Sequence, residues 1–283
     1  RIVLPIRDVF GGRLRIAIAG GAALNNAIGR FYNAMGVELR QGYGLTETAP
    51  IAALTPDWDM RVGSAGKSVV WDEIKISEPN EKGEGEIWIK GKTVMLGYYE
   101  DEEATAAVMN DGWFNSGDIG YMDEDGFIYI TGRSKNVIVT QNGKNIYPEE
   151  IETLLSKVDE IAESMVYGKE VAGEKELIIT ARVIPDYEKI EELHGAGLNE
   201  EEVYKVIWEQ IRKVNRKLSN YKTIKKLEIK TEQFEKTSTM KIKRYAELAK
   251  DTAQTAGAVT AAAAAAGESG AQTDADSSAE EKN

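Results

Sequence analysis

The sequence contains no cysteine, which removes disulfides, thiolate metal sites and a cysteine nucleophile. Histidine is almost missing too: His194, in "EELHGAGLNE", stands alone. Serine–histidine catalysis and multi-histidine metal centres are therefore disfavoured, and His194 itself reads as a loop residue. No stretch nears the roughly 20 apolar residues of a membrane-spanning helix, the longest bland run being Ala261 to Ala266. A basic excess is lacking as well. The formal net charge is −12, which argues against a nucleic-acid binder working through a basic face but leaves room for local basic pockets that take anions. The chain opens at Arg1 inside an apolar segment, with neither an initiator methionine nor a signal peptide, and so reads as the middle of a protein.

What is present is globular in character. The 283 residues, 42% hydrophobic and 29% charged, suffice for one large or two moderate domains. Leu14 to Ala19 is a short apolar strand ending in Gly20 and Gly21, a helical pattern follows through "ALNNAIGRFYNAMG", and Val37 to Gln41 reads as the next strand. Strand, helix and strand with short links predict a parallel βαβ unit whose loops share the carboxyl edge, where open α/β sheets put their ligands. The second strand runs into "QGYGLTETAP", Gln41 to Pro50. A glycine-rich turn frees its N–H groups for an anion, the Thr46 hydroxyl can donate to a phosphate oxygen, and the Glu47 carboxylate can hold a divalent cation between phosphates. The same residues also make an ordinary turn or helix cap.

From about 61 to 133 the chain becomes short strands punctuated by glycine and acidic turns, the pattern of an antiparallel sheet or small barrel. A third region begins with a helix over Pro148 to Ser156, whose Glu149, Glu150 and Glu152 favour the helix dipole. Strands in "SMVYG" and "ELIITARVIP" and a long amphipathic helix from Glu200 to Leu218 make this part α+β. From Asp251 onward Val259 is the only large aliphatic residue, and the segment reads as a disordered tail that cannot offset its ordering entropy.

Four motifs stand in a fixed order: "AGGAAL", "GYGLTE", "GWFNSGDIGYMDEDGFIYITGRSKNVIVTQNGKNIYPEEIE" and "STMKIKRY". Together they resemble the adenylate-forming (AMP-binding) superfamily, most closely the bacterial long-chain acyl-CoA synthetases, from the first strand to about Lys250. The resemblance implies the end of a parallel α/β nucleotide-binding domain over 1–60 and a small antiparallel β-barrel-like subdomain over 61–132. A hinge at 133–135, a mobile C-terminal α+β domain over 136–250 and the tail 251–283 follow.

The resemblance also implies roles. Gly21, Ala22 and Ala23 match the loop packing against adenine, and Tyr43 its stacking partner, although a core aromatic at a strand end is the other reading of Tyr43. Gln41, Gly42 and Gly44 share that ATP-binding loop, with Thr46 as the phosphate hydroxyl and Glu47 as the magnesium carboxylate. Asp118 matches the acceptor of both ribose hydroxyls, where a turn aspartate is the alternative; Asp123 and Asp125 read as turn residues only. Arg133 matches a second ribose contact, or else a surface ion pair, and Ile130 lines the nucleotide. Lys135 falls at the hinge. Lys241 matches the catalytic lysine beside the α-phosphate, set among other lysines that spacing alone cannot separate from it, with Met240 where many members carry glycine. Gly143 matches the glycine leaving room for the pantetheine arm of CoA, or a simple turn glycine, and Lys144 is assigned to the CoA phosphates.

The implied reaction is formation of an acyl-adenylate and pyrophosphate from a fatty acid and ATP, then thioester formation with CoA and release of AMP, with a rotating domain serving each half in turn. ATP, Mg²⁺ and CoA are the expected cofactor and co-substrates. The expected protein is cytoplasmic, binds no nucleic acid, has no transmembrane segment and meets membranes only peripherally through its substrate. The family's Ser/Thr/Gly-rich phosphate loop has no counterpart here. The chain therefore reads as the C-terminal part of a ligase, inactive by itself, with the N-terminal half of the same protein as its partner. Another adenylating enzyme, such as a peptide-synthetase adenylation domain or a luciferase-like protein, and a non-catalytic fragment stay open.

Overall fold

A computed structural model describes residues 8–22, 24–171, 173, 177–238 and 240–250. The chain divides into two compact units, Arg1–Lys230 and Thr231–Asn283. The larger begins with β1 (Ile16–Ala19), α1 (Asn26–Ala34) and β2 (Glu38–Tyr43). The Asn25 side chain accepts the Ala27 N–H and starts α1, and Gly36 at φ +77° turns the chain out of it. The two strands pair in parallel from Ile16 with Glu38 to Ala19 with Gln41, which is the βαβ unit expected from the sequence. Short antiparallel strands β3 (Ala53–Leu54) and β4 (Lys67–Ser68) extend this sheet in the order β1-β2-β3-β4.

A second sheet follows, antiparallel and curled into a half-barrel. It is built from β5 (Asp72–Ser77), β6 (Gly85–Gly91), β7 (Met109–Asn110), β8 (Trp113–Met122) and β9 (Ile128–Arg133), with α2 (Glu102–Val108) between β6 and β7. Phe114, Ser116, Asp118 and Gly120 alternate as the buried residues of β8, the period of two that a half-buried strand requires. Backbone segments approach closely here. A side chain at Gly66 would place its Cβ 2.0 Å from the Leu54 carbonyl carbon, and one at Gly120 would meet the Tyr129 carbonyl oxygen at 2.3 Å. Tyr43, Ala52, Ala53, Ala65, Ile87, Ile89 and Ile128 form the core.

The rest of this unit is α+β, as the sequence predicts. A hairpin of β10 (Ile138–Val139) and β11 (Asn145–Ile146) leads into α3 (Pro148–Leu155), which has proline in its first turn with Glu149 and Glu150. The strands β12 (Ile161–Lys169), β13 (Ile178–Pro185) and β14 (Lys226–Ile229) follow in that spatial order, the first pair antiparallel and the second parallel. Helices α4 (Tyr187–His194) and α5 (Glu200–Asn215) connect β13 to β14. The spacing of Val203, Ile207, Ile211 and Val214 places one face of α5 in a second core with Ile151, Leu155, Val166, Ala181 and Val183. An Asn199–Glu202 capping box starts α5.

Three details differ from the sequence reading. Helices α2 and α4 are not evident in the sequence pattern, because eight residues or fewer carry little periodic signal. His194 closes α4 instead of lying in a loop, and its Nε2 lies 3.0 Å from buried Glu160 Oε1. Finally, α5 ends at Asn215, whose amide group donates to the Ile224 carbonyl and accepts from the Ile224 N–H, tying the helix end to the chain before β14. In the smaller unit, Lys236 pairs with Ile242 and residues 244–250 are helical. The expected tail lies outside the described residues.

Candidate functional site

The parallel pairing of β1 and β2 sends the loops after Ala19 and after Tyr43 out of the same sheet edge. In the first loop Gly21 adopts φ +81° with open space beside its Cα, and Ala22 is exposed. Ala23 lies outside the described residues. Gln41 and Gly42 are half-buried in β2, and the Gln41 backbone is tied to the Thr55 hydroxyl. At Gly44 a Cβ would sit 2.1 Å from the Pro50 carbonyl oxygen, so only glycine permits this loop to fold back on itself.

Thr46 and Glu47 open a single 3-10 turn, Thr46–Thr48. The Thr48 hydroxyl accepts the Leu45 N–H at 2.9 Å and the Thr48 N–H donates to the Leu45 carbonyl. That closure leaves Thr46 exposed and Glu47 half-buried. Sequence reasoning missed the partner of Glu47: the Tyr98 hydroxyl donates to Glu47 Oε1 at 3.0 Å across 51 residues of chain. The Met95 N–H holds the Glu47 carbonyl at 2.8 Å. No local pattern signals a side-chain pair this far apart.

The centre of the arrangement is Asp118, 5% exposed on β8. Its Oδ2 accepts from the Tyr43 hydroxyl at 2.8 Å, and its Oδ1 lies 2.9 Å from Nε of Arg133, its register partner on β9. The Ser116 hydroxyl accepts the Asp118 N–H. Burial and the Asp118 charge push the Tyr43 hydroxyl well above the usual tyrosine range, so it stays protonated and donates at neutral pH. Tyr43 is 8% exposed and belongs to the core, its hydroxyl directed at the carboxylate. Three residues singled out separately in the sequence, on β2, β8 and β9, are thus joined by direct bonds. Ile130 is 39% exposed on β9 opposite Gly120.

The remaining residues make no bond within this set. Lys135 is exposed in the turn Ser134–Asn136 that follows Arg133. Gly143 and Lys144 form the tip of the β10–β11 hairpin, closed by the Gly143 N–H on the Thr140 carbonyl. Gly143 is at φ +70° with nothing within 4 Å, and Lys144 Nζ lies 4.7 Å from the centre of the Tyr221 ring. Lys241 belongs to the smaller unit, exposed in a tight turn where the Thr237 N–H meets its carbonyl. Met240 before it takes φ +62°, a conformation that glycine adopts without strain. Asp123 and Asp125 both pair with Arg61 in their turn, a structural task.

Among the described residues no group of three or more histidine and acidic side chains is poised to hold a metal ion. Glu47 presents a hard oxygen donor of the kind a divalent cation takes, and Tyr98 holds it in place.

Two family models match stretches of this chain. The AMP-binding enzyme profile matches residues 6–99, and the AMP-binding enzyme C-terminal domain profile matches 135–254. The chain belongs to the adenylate-forming, AMP-binding superfamily. Within it, a long-chain-fatty-acid–CoA ligase of Mycobacterium bovis is 33% identical over 255 residues, covering 84% of this chain and 41% of that protein. A luciferin 4-monooxygenase of Photuris pensylvanica is 41% identical over 174 residues, 57% of this chain and 31% of that enzyme. Among solved AMP-binding structures, the Bacillus subtilis O-succinylbenzoate coenzyme A synthetase in complex with ATP and magnesium superposes with a TM-score of 0.65 at 29% identity. That match covers 81% of this chain and 45% of the synthetase. The chain thus spans less than half the length of these AMP-binding relatives. No helix among the described residues is long and apolar enough to cross a membrane.

Proposed function

We propose that this chain carries the adenylate-holding and CoA-facing parts of an AMP-forming carboxylate–CoA ligase acting on long-chain fatty acids. The observation carrying this reading is the bonded set Tyr43–Asp118–Arg133 beside the Thr46–Glu47 turn. A buried carboxylate already oriented by two donors is suited to accept hydrogen bonds from a ribose diol, and Arg133, 51% exposed at its side chain, is available to the same sugar. Gly21, Ala22, Ala23 and Ile130 border the base, while Gln41, Gly42 and Gly44 shape the loop that admits the nucleotide. Tyr43 supports the adenosine through Asp118. The Thr46 hydroxyl donates to a phosphate oxygen. Bound at Glu47, magnesium would neutralise charge on the phosphates.

The fatty acid carboxylate attacks the α-phosphorus, an oxygen–phosphorus bond forms as the bond to pyrophosphate breaks, and Lys241 offsets the charge that builds on the α-phosphate. The CoA thiolate then attacks the acyl carbonyl and AMP leaves with the electron pair of the broken carbon–oxygen bond. Gly143, open on all sides, leaves space for the pantetheine arm, and Lys144 meets CoA phosphates. Lys135, exposed in its turn at the start of the C-terminal profile, is the pivot between the two halves. The Mycobacterium bovis relative supports the long-chain assignment.

Binding of sulfamoyl-adenosine mimics of acyl-adenylates, measured by calorimetry, tests this reading. The palmitoyl mimic should bind more tightly than the acetyl mimic, and both should lose about tenfold or more in Asp118→Asn. Equal binding of all acyl groups would sink the long-chain assignment, and absence of binding would sink the adenylate site. The luciferin 4-monooxygenase relative supports a second reading, an adenylating enzyme that passes its acyl group to an acceptor other than CoA. Coenzyme A that fails to bind while the mimics do would favour it.

A further inference from the structure

The proposed magnesium carboxylate is held by a second segment of chain. Residues 95–98 follow β6 and run past the Thr46–Thr48 turn, where the Met95 N–H donates to the Glu47 carbonyl at 2.8 Å and the Tyr98 hydroxyl donates to Glu47 Oε1 at 3.0 Å. This segment is itself anchored. The Tyr98 N–H donates to the Thr105 hydroxyl at 2.9 Å, and that hydroxyl donates to the Asp101 carbonyl at 2.7 Å in the first turns of α2. Glu47 is therefore fixed through backbone and side chain by a strap whose far end is a helix of the barrel region. A glutamate on a one-turn loop has three side-chain torsions to restrict before it can serve as a ligand, and one hydrogen bond to an anchored donor restricts them in advance.

We propose that Tyr98 is a positioning residue for Glu47: its hydroxyl commits one carboxylate oxygen and fixes the rotamer in which Glu47 meets a divalent cation bridging the phosphates of ATP. The proposal rests on the reading of Glu47 as the metal carboxylate. Tyr99, 90% exposed beside Tyr98, provides an internal control.

The test uses Mn²⁺ as the cation, with free Mn²⁺ read by electron paramagnetic resonance in the presence of ATP, and ATP affinity measured separately in chelator. Tyr98→Phe keeps the ring and removes only the hydroxyl. It should weaken Mn²⁺ retention about tenfold while leaving metal-free ATP affinity unchanged, and Glu47→Gln should weaken retention further. Tyr99→Phe should match the wild type in both assays. Wild-type Mn²⁺ retention in Tyr98→Phe alongside its loss in Glu47→Gln would overturn the strap and spare the site. Equal losses of metal-free and metal-bound ATP affinity in Tyr98→Phe would reduce the tyrosine to a structural part. Wild-type retention in Glu47→Gln, or none in the wild type, would overturn the reading of Glu47 and the proposal with it.

Discussion

The half-barrel region and the α+β region of the larger unit hold their candidate residues in opposite ways. In the first, Asp118 is buried and bonded to Tyr43, a core residue at the end of the adjoining strand β2, so the site is made of the same contacts that hold the fold. In the second, the core is a set of branched aliphatics on α3, α5 and the sheet, and Gly143 and Lys144 project from a hairpin tip outside it. A group that must grip a ligand through a whole reaction benefits when folding has already oriented it, since the cost of ordering is then met before the ligand arrives. A group needed for one step benefits from freedom to approach and leave. Folding and binding should therefore be coupled in the half-barrel and separable in the α+β region.

The largest expected effect tests the first half of that statement. Gly66→Ala drives a Cβ into the Leu54 backbone at φ +89° and should cost about 4 kcal/mol in urea unfolding, with AMP binding lost in step. In the second region, Ile207→Ala empties fully buried volume on α5 and should cost about 3 kcal/mol. Its AMP affinity, measured well below the unfolding temperature, should equal that of the wild type. A drop there would show that the two regions are not separable.

Acid provides a third, smaller probe of the α+β region. Although burial pushes the Glu228 carboxyl up, hydrogen bonds from Lys169, Tyr167 and Arg182 hold it down to about 2. A depressed carboxylate stabilises the fold above its unfolded pKa of about 4.3 and loses that contribution as pH falls toward the folded value. Between about pH 5 and pH 2 the wild type should therefore lose more stability than Glu228→Gln in parallel urea titrations. Identical pH slopes would remove Glu228 as the cause. The smallest effect belongs to Gly143→Ala, which meets no neighbour and is penalised only by its left-handed backbone, about 1 kcal/mol.

What was legible in the sequence follows the same division. The βαβ unit, the run of antiparallel strands and helix α5 are readable because each repeats its apolar period over enough residues. Tyr43, Asp118 and Arg133 are readable through motif order, yet their mutual bonds are not, since spacing does not say that side chains 75 residues apart in sequence will meet. For Tyr43 the motif leaves a base-stacking ring and a core aromatic both open, and side-chain direction is set by tertiary packing alone. Tyr98 is invisible for the same reason. His194 reads as a loop residue because a helix of eight residues has one buried apolar anchor, Ile190, too little to establish a period. At Met240 the sequence marks a departure from glycine, and the φ of +62° gives its physical meaning.

The proposed site depends above all on Asp118, held by Tyr43 and Arg133, reading the ribose of an adenine nucleotide. Comparing AMP with 2′-deoxy-AMP and 3′-deoxy-AMP by calorimetry, in the wild type and in Asp118→Asn, isolates that contact as a double-variant cycle. The wild type should lose about 2 kcal/mol on removal of either hydroxyl, and Asp118→Asn should lose most of this discrimination. If Asp118→Asn still distinguished AMP from its deoxy forms as sharply as the wild type, another group would be reading the sugar.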